Sequence, residues 1–338
     1  MGDEDDNQPE NNISWMNFFL QPPEKATKVI CTRKANGEAA HLSVRFIDQQ
    51  VILIVGSKNV HMVISKYSDI EKYHDTRYQY AKLIAKAVLD TLLALPEDSL
   101  LLLLNFLHFT KLTAVFEFLQ PKYQHIEDLS KLENNTLQFI TWTLPYGEDE
   151  ETSKSYCAVS PDRGLRFAQK LGLETVSFDI IKPIDVELRM EEVRISHGFE
   201  GEVMYFVDDH DNVIGLIKKK TAWYIVLRAI REKTVAAFAN WKKCSNFQQT
   251  SWTKKVKSRL KEIQQWVGYS DNFCDAWVKL GSQFIGWIIN LCQGKLEKSV
   301  ENNKIKHIIN DIGIRPQFPL VWKHFLSDQN LNDMIAWS

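Results

Sequence analysis

The sequence contains few cysteines, and they are scattered. It has five of them, an odd number, and no two form a C-x-x-C pair: Cys31, Cys157, Cys244, Cys274 and Cys292. Such a set disfavours a disulfide framework and a cysteine-based zinc site. The chain is therefore predicted to fold in a reducing compartment.

Long hydrophobic runs and a strong net charge are also lacking. The most apolar stretch, residues 92–106, is interrupted by Pro96, Glu97 and Asp98, whereas a membrane-spanning helix needs roughly 20 apolar residues. The N-terminal segment is acidic and polar, unlike a signal or transit peptide, and residues 1–14 are predicted to be disordered. These features predict a protein without a membrane partner that is cytoplasmic, nuclear or both.

The first part of the chain alternates between strand-forming segments and turn signals. The segments VICTRK, AHLSVRFI and VILIVGS are rich in β-formers, and Asn36-Gly37 and Asp48-Gln49 separate them. Helical spacing of apolar residues predicts helices at 67–95, 97–109, 162–173 and 186–193. Further strands are predicted at 114–119, 137–144, 157–159, 201–208 and 213–220.

Strand signals nearly vanish after Trp223. Helical patterns cover 225–241, 252–267, 273–292 and 295–312, and they end near Pro316. We therefore predict an α+β domain over residues 15–231 and an all-helical domain over residues 232–338.

Lys34-Ala35-Asn36-Gly37 lies at the first of these turns. A lysine there can be exposed in a cleft, and the glycine lets the backbone approach a ligand closely. Because this spacing is common by chance, a solvated hairpin lysine is the alternative interpretation.

Three consecutive lysines end the strand VIGLIKKK. Alternation places Lys218 and Lys220 on one face and Lys219 on the other. Two ammonium groups on one face repel each other unless an anion, such as a polyphosphate, lies between them. The alternative is an exposed edge strand that lysines protect from aggregation.

Two carboxylates interrupt apolar strand segments, Glu117 in AVFEFL and Glu200 in HGFEGEVMY. Burying an unpaired charge is costly, so each carboxylate is expected to meet a metal, a cation or a hydroxyl group. A structural salt bridge is the alternative for each.

In their order along the chain, these signals resemble the motif series of the covalent nucleotidyltransferases, which include ATP-dependent DNA and RNA ligases and mRNA capping enzymes. The series is Lys34, Ser57-Lys58, Glu117, Glu200-Gly201-x-Val203 and Lys218-x-Lys220 with Tyr224. It looks most similar to phage-type RNA ligases and the ligase domain of fungal tRNA ligases. K-A-N-G stands in place of the K-x-D-G of DNA ligases, G-S-K-N follows two hydrophobic strands, and an aromatic residue follows the lysine pair. The resemblance covers residues 28–231.

The resemblance implies an ATP-grasp-like nucleotidyltransferase domain of antiparallel sheets with flanking helices, and an ATP-dependent RNA ligase. Lys34 would attack the α-phosphate of ATP to form lysyl-AMP. The AMP would pass to the 5′-phosphate of an RNA strand, and a 3′-hydroxyl would displace it. The expected substrates are RNA ends, with tRNA halves as the family-based expectation, and enzymes acting in trans would heal the ends.

The resemblance also implies individual roles. Cations would activate Lys34 and neutralise the triphosphate, and Glu200 would hold Mg²⁺ (or Mn²⁺), as Glu117 would unless it binds the ribose hydroxyls. The remaining nucleotide contacts are expected at Thr32, Arg33, Gly37, Lys58, Lys218 and Lys220, with Phe139 or Trp142 as a stacking aromatic unless they belong to the core. Ala39 occupies the position where many members of the superfamily have an arginine, and Arg33 and Arg45 are the alternative donors.

A basic segment, residues 216–261, spans the boundary between the two predicted domains, and Glu232 is its only acidic residue. Such a segment suits contact with the phosphates and bases of RNA. Its basic residues are Lys218, Lys219, Lys220, Arg228, Arg231, Lys233, Lys242, Lys243, Lys254, Lys255, Lys257, Arg259 and Lys261. Trp241, Phe247 and Trp252 lie among them as candidate stacking residues, unless they belong to the core. Competing interpretations are a DNA ligase, a capping enzyme, a non-catalytic RNA-binding protein with a ligase-like fold and a helical interaction protein. The first two are disfavoured because no strand series for a C-terminal barrel follows Trp223.

Overall fold

The computed structural model describes residues 14–144, 154–244, 246–296 and 299–331. Of the tail predicted at residues 1–14, only Ser14 lies among them, and the acidic stretch at 148–151 lies outside them. The strands are β1 (Lys28–Arg33), β2 (Glu38–Ile47), β3 (Gln50–Ser57), β4 (His61–Ile64), β5 (Thr113–Leu119), β6 (Thr136–Thr143), β7 (Phe178–Ile181), β8 (Gly201–Val207) and β9 (Val213–Lys220). The helices are α1 (Tyr67–Ile70), α2 (Gln79–Ala94), α3 (Glu97–Thr110), α4 (Pro161–Lys170), α5 (Val186–Ile195), α6 (Ala222–Lys243), α7 (Gln249–Val267), α8 (Asp271–Gln293), α9 (Val300–Asp311) and α10 (Phe318–Asp328). Short 3₁₀ helices occupy Ser14–Phe18, Pro23–Lys25, Thr76–Tyr78, Pro183–Asp185 and Arg315–Gln317.

The strands form two antiparallel sheets, which confirms the prediction of an α+β fold with antiparallel sheets and many helices. One sheet has the order β4-β3-β2-β5-β6, and the other has the order β7-β1-β8-β9. The five-stranded sheet buries Phe116, Phe118 and Phe139 against the apolar sides of α2, α3 and α4. This is the largest core of the strand-rich part. It fixes β5, which carries Glu117, and β2, which follows the turn at Lys34.

The four-stranded sheet has two different faces. Cys31, Met204 and Phe206 pack with α5 on one face. The other face is apolar at one end, where Ile30 and Tyr205 are buried, and carries lysines at the other. A strand with one face on a core and one face towards a ligand would have this pattern.

The described chain after Lys220 is helical, and it contains no further strand. Its core contains a cluster of stacked and edge-on aromatic rings around Phe284. The first helix begins at an N-cap, because Thr221 Oγ1 accepts a hydrogen bond from the Tyr224 backbone N–H at 3.0 Å. The boundary predicted at 231/232 lies inside α6.

Several predicted elements differ from those observed. The helix predicted over 67–95 is broken, because Asp75 caps a new 3₁₀ turn before α2 begins. Residues 157–159 do not form a strand. The helical series does not end near Pro316, because α10 follows it with Pro319 in its first turn, where proline is tolerated.

The helical part contacts the loop at residues 120–128, which follows β5. Gln317 Nε2 donates to the Pro121 and Lys122 carbonyls at 3.1 and 2.7 Å. The Gln124 N–H donates to the Pro316 carbonyl at 2.7 Å. These contacts fix the loop from the helical side. Among the described helices, none is both long enough and apolar enough to span a bilayer.

Candidate active site

The lysine at the end of β1 points at a buried carboxylate. Lys34 Nζ lies 3.0 Å from Glu200 Oε1, with the lysine side chain 24% exposed and the glutamate side chain 5% exposed. The Lys34 N–H donates to the Gly201 carbonyl at 2.8 Å, which continues the β1–β8 pairing by one residue. Lys34 is therefore held by its backbone as well as by its ammonium group, while part of its side chain remains open to solvent.

Asn36 connects this ion pair to two other segments. Its Nδ2 donates to Glu200 Oε2 at 2.6 Å and to the Tyr224 hydroxyl at 3.4 Å. Its Oδ1 accepts from the N–H groups of Ile126 and Glu127 at 2.9 and 3.1 Å. The side chain is almost fully buried and uses both ends of its amide. An aspartate at this position could not donate to Glu200, so the amide fits this carboxylate better.

Glu127 is a second carboxylate of the cluster, and the sequence analysis did not identify it. Its Oε1 accepts from the Glu200 N–H at 2.7 Å, and its Oε2 lies 2.8 Å from Arg33 Nη2. Burial raises the pKa of Glu127, and Arg33 opposes this shift. Glu127 lies in the loop between β5 and β6. The alternation of apolar and polar residues, which marks a strand, therefore could not identify it.

Glu117 lies on the other side of the turn. Its Oε1 accepts from the Gly37 N–H at 2.8 Å. Burial raises the pKa of Glu117, the charge of Lys34 and the Gly37 hydrogen bond lower it, and the charge of Glu200 raises it further. Glu117, Lys34 and Glu200 therefore belong to one electrostatic cluster. A Cβ at Gly37 would lie 2.3 Å from the Phe118 carbonyl oxygen, so only glycine fits here.

The end of β9 brings its lysines to the same edge of the four-stranded sheet as Lys34. Gly201 pairs with Lys220 and also accepts the Lys34 N–H, so these three residues form one row across neighbouring strands. Residues in such a row share a face, and Gly201 places no side chain between the two lysines. Lys220 is buried. Lys218 is exposed and lies in the next row on that face, together with Val203 and Thr32. Thr32 Oγ1 donates to the Val203 carbonyl at 3.3 Å.

The remaining predicted residues are less closely joined. Lys58 is exposed and lies in the turn after Ser57, the last residue of β3, which pairs with Ala40; the neighbouring Ala39 is opposite Glu117. Arg45 donates to the Val44 carbonyl near the far end of β2, whereas Arg33 lies in the cluster.

Both candidate stacking aromatics are core residues. Phe139 and Trp142 are fully buried beneath the five-stranded sheet, with ring centroids 4.5 Å apart. They are therefore not available to stack on a nucleobase, which agrees with the alternative stated for them.

The carboxylates of the cluster suit a hard divalent cation that keeps most of its water. Among the described residues, no group of three or more His, Cys, Asp or Glu side chains could enclose a metal ion. Mg²⁺ is commonly held by one or two carboxylates, with water and phosphate oxygens as its other ligands. Glu200 and Glu117 supply oxygens of this kind beside Lys34, so the donor set fits Mg²⁺ or Mn²⁺.

The basic segment continues into the helical part. There its lysines are exposed to solvent, and its aromatic residues pack on or within the helical core. Trp252 is buried, and Trp241 and Phe247 pack against the helical core. Lys255 Nζ lies 3.8 Å from the centroid of the Trp252 ring. Lysines are exposed on α6 and α7: Lys242, Lys243, Lys254, Lys255 and Lys257. This surface offers positive charge, but these aromatic rings are not free for stacking on bases.

Residues 20–231 match the model of a family described as a domain of unknown function (DUF7920). No curated protein matches the chain significantly. Similar solved structures include two forms of an archaeal ATP-dependent RNA ligase, each 11% identical, with TM-scores of 0.46 and 0.45. Each alignment covers 87% of this chain and 71% of the archaeal one.

A Naegleria gruberi RNA ligase with PPi is 16% identical, with a TM-score of 0.38. The alignment covers 61% of this chain and 53% of the Naegleria chain, so this protein matches about half of that ligase. Identities and TM-scores at these levels do not establish a shared activity.

Proposed function

The chain belongs to the DUF7920 family, and we propose that it is an ATP-dependent RNA ligase that uses Lys34 as its nucleophile. The observation that carries this proposal is the convergence of three segments distant in sequence on one lysine. Lys34 contacts Glu200, lies in one row with Lys220, and is electrostatically coupled to Glu117. A solvated hairpin lysine would need none of these partners.

In the proposed first step, Lys34 Nζ attacks the α-phosphorus of ATP. A bond forms between nitrogen and phosphorus, and the bond to the bridging oxygen breaks, so that pyrophosphate leaves. Lysine side chains are mostly protonated at neutral pH, so Nζ must lose a proton before it attacks. Nearby positive charge promotes that loss, and Lys220 is the buried cation in the same row.

In the second and third steps, the AMP moves from Lys34 to the 5′-phosphate of an RNA strand, and a 3′-hydroxyl then attacks that phosphate. AMP leaves, and the hydroxyl proton passes to solvent. Lys218 and Lys220 would neutralise the phosphates, while Thr32, Arg33 and Gly37 would line the nucleotide site. Lys58 would be an outer cation for the triphosphate. The reaction belongs to RNA repair or to the joining of tRNA halves.

Glu200, with Glu117, would hold a Mg²⁺ or Mn²⁺ ion, which supplies positive charge for the phosphate oxygens. In the structure, the Glu200 carboxylate accepts from Lys34 and Asn36 instead. Glu200 therefore also orients the amine, and Asn36 fixes the carboxylate.

The exposed lysines of α6 and α7 are proposed to contact the RNA backbone. Contacts of this kind weaken steeply as salt concentration rises, because binding releases counterions. RNA affinity that is independent of salt would argue against this surface.

The test is covalent labelling with α-³²P-ATP and Mg²⁺. The wild-type protein should retain label after denaturation, and Lys34→Ala should retain none. Lys66→Ala, which removes an exposed lysine outside the site, is the matched control and should label normally. Undiminished labelling of the Lys34 variant would refute the proposal.

The same assay separates the competing enzymes. Preferential labelling by GTP would indicate a capping enzyme, and sealing of nicked DNA in preference to 5′-phosphorylated RNA would indicate a DNA ligase. A protein that binds RNA but never labels would be a non-catalytic binder.

A further inference from the structure

A cavity of about 790 Å³ lies between the helical part and the strand-rich part. It is formed by α6, the 3₁₀ turn at Arg315–Gln317, the loop at residues 120–128, and the nearby ends of α2 and β2. Three of its lining residues are Arg228, Arg231 and Arg315. A cavity of this size can hold a nucleotide.

The charge of the lining is predominantly positive. Arg228 and Arg231 are three residues apart on α6 and therefore project from the same side of the helix. Arg315 joins them from the 3₁₀ turn that precedes α10. Glu38 is an acidic lining residue, and it contacts the lining residue His125, with 3.3 Å between Oε1 and Nε2.

A fourth group, Glu232, binds two of the arginines. It accepts from Arg231 Nε at 3.1 Å and also contacts Arg315 Nη2. One carboxylate therefore orients two guanidinium groups, and their charge exceeds its own. An additional anion can be accommodated at such an arrangement.

Arg231 supplies the observation that points to a ligand. Its side chain is buried, with 6% of the residue exposed, and its Nη1 has no hydrogen-bond partner among the described residues. Burial lowers the pKa of the Arg231 guanidinium. A buried donor without a partner is costly, so this guanidinium group keeps an unused hydrogen-bond donor beside the cavity.

We infer that this cavity binds a terminal phosphate monoester of RNA, through Arg228, Arg231 and Arg315. The inference rests on the proposed ligase function, which requires RNA ends. A terminal phosphate carries nearly two negative charges at neutral pH, whereas an internal phosphodiester carries one. Three clustered arginines, one of them buried, match the more highly charged group.

The cavity is next to the proposed active site. Tyr224 lines it, and the Tyr224 hydroxyl accepts from Asn36, which in turn binds Glu200. Arg228 lies about one helical turn beyond Tyr224 on α6. A phosphate held by the arginines would therefore bring an RNA end close to Lys34.

The experiment measures binding of three RNA strands of the same sequence, with a 5′-phosphate, with a 3′-phosphate or with neither. Affinities are measured by fluorescence anisotropy at constant ionic strength, without ATP or metal. Wild type should bind one phosphorylated strand at least about tenfold more tightly than the unphosphorylated strand. The preferred strand identifies which end enters the cavity.

Arg228→Ala and Arg315→Ala should each reduce this preference to about twofold or less. Arg228 is exposed, so its substitution should leave the fold intact even if Arg315→Ala does not. Lys304→Ala removes the same charge from an exposed position on α9 and should keep the full preference. Equal wild-type affinity for all three strands, or an undiminished preference in Arg228→Ala, would overturn the inference.

Labelling of Lys34 by ATP separates this inference from the proposed function. A protein that labels normally but shows no phosphate preference would retain the ligase proposal and lose the cavity assignment. A protein with the phosphate preference that never labels would retain the cavity and lose the ligase proposal.

Discussion

The strand-rich region, residues 28–220, and the helical region, residues 222–328, both have apolar cores but differ in the buried polar groups that they contain. The strand-rich region encloses a connected set of polar groups around Lys34, among them Asn36, Glu127 and Glu200. The helical region is filled mainly by aliphatic and aromatic side chains, with Phe284 surrounded by other rings. Buried polar networks fix geometry but contribute little net stability, whereas apolar burial contributes most of it. The comparison indicates that the connected buried polar groups are concentrated in the strand-rich region, around Lys34.

The largest expected effect is on the helical core. Phe284→Ala should reduce the free energy of unfolding by about 3–5 kcal/mol, because a fully buried ring is replaced by a cavity. Chemical denaturation measures the change, and labelling by ATP per folded molecule should stay near that of wild type. Phe109→Ala, at a side chain that is 74% exposed, should change stability by less than about 0.5 kcal/mol. A comparable loss in both variants would contradict the assignment of this stability to the buried packing of Phe284.

A smaller effect is expected at the centre of the polar network. Asn36→Asp should cost about 1–3 kcal/mol at neutral pH, because it replaces the donor that lies 2.6 Å from Glu200 Oε2 with a second carboxylate. The repulsion raises the folded-state pKa of the pair, so the stability is recovered at acidic pH and lost as pH rises through that pKa. Unfolding titrations from pH 4 to 8 measure this, with the exposed Asn135→Asp as the control. A loss that is independent of pH would contradict repulsion between the two carboxylates as its cause.

The smallest effect has the opposite sign. Burial raises the pKa of Glu117 above its ordinary value of 4.5, so the folded state disfavours the ionised carboxyl. This penalty is absent below the unfolded-state pKa and develops as pH rises towards the folded-state pKa. Glu117→Gln, whose amide oxygen can still accept from Gly37, should therefore raise the melting temperature slightly at neutral pH while lowering activity. A lower melting temperature would show that Lys34 already compensates the carboxylate fully.

Much of the strand-rich fold could be predicted because its signals are local. Alternating burial and turn residues such as Asn36-Gly37 and Asp48-Gln49 set β1, β2 and β3, and both Asp48 and Gln49 adopt positive φ. The short segment at 157–159 was wrongly assigned to a strand, because three residues carry little periodicity. The missed α10 has Pro319 in its first turn, whereas the sequence analysis placed the end of the helical series near Pro316.

The candidate site was predictable only in part, for a physical reason. Lys34, Glu117 and Glu200 stood out because charged groups interrupt apolar strands. Asn36 and Glu127 act through hydrogen bonds to residues at least 73 positions away, and no local pattern encodes such partners. The roles assigned to all these residues stay predictions until labelling is measured.

The hydrogen bonds from Pro316 and Gln317 to the 120–128 loop have a consequence for biosynthesis. Asn36 is held by N–H groups of that loop, and the loop is held by residues nearly 200 positions later. A nascent chain that has not yet emerged to residue 317 would carry Lys34, Glu117 and Glu200 with the loop unanchored. The proposed adenylylation should therefore require that residue 317 has been synthesised and has docked on the loop, and shorter nascent chains should not react with ATP.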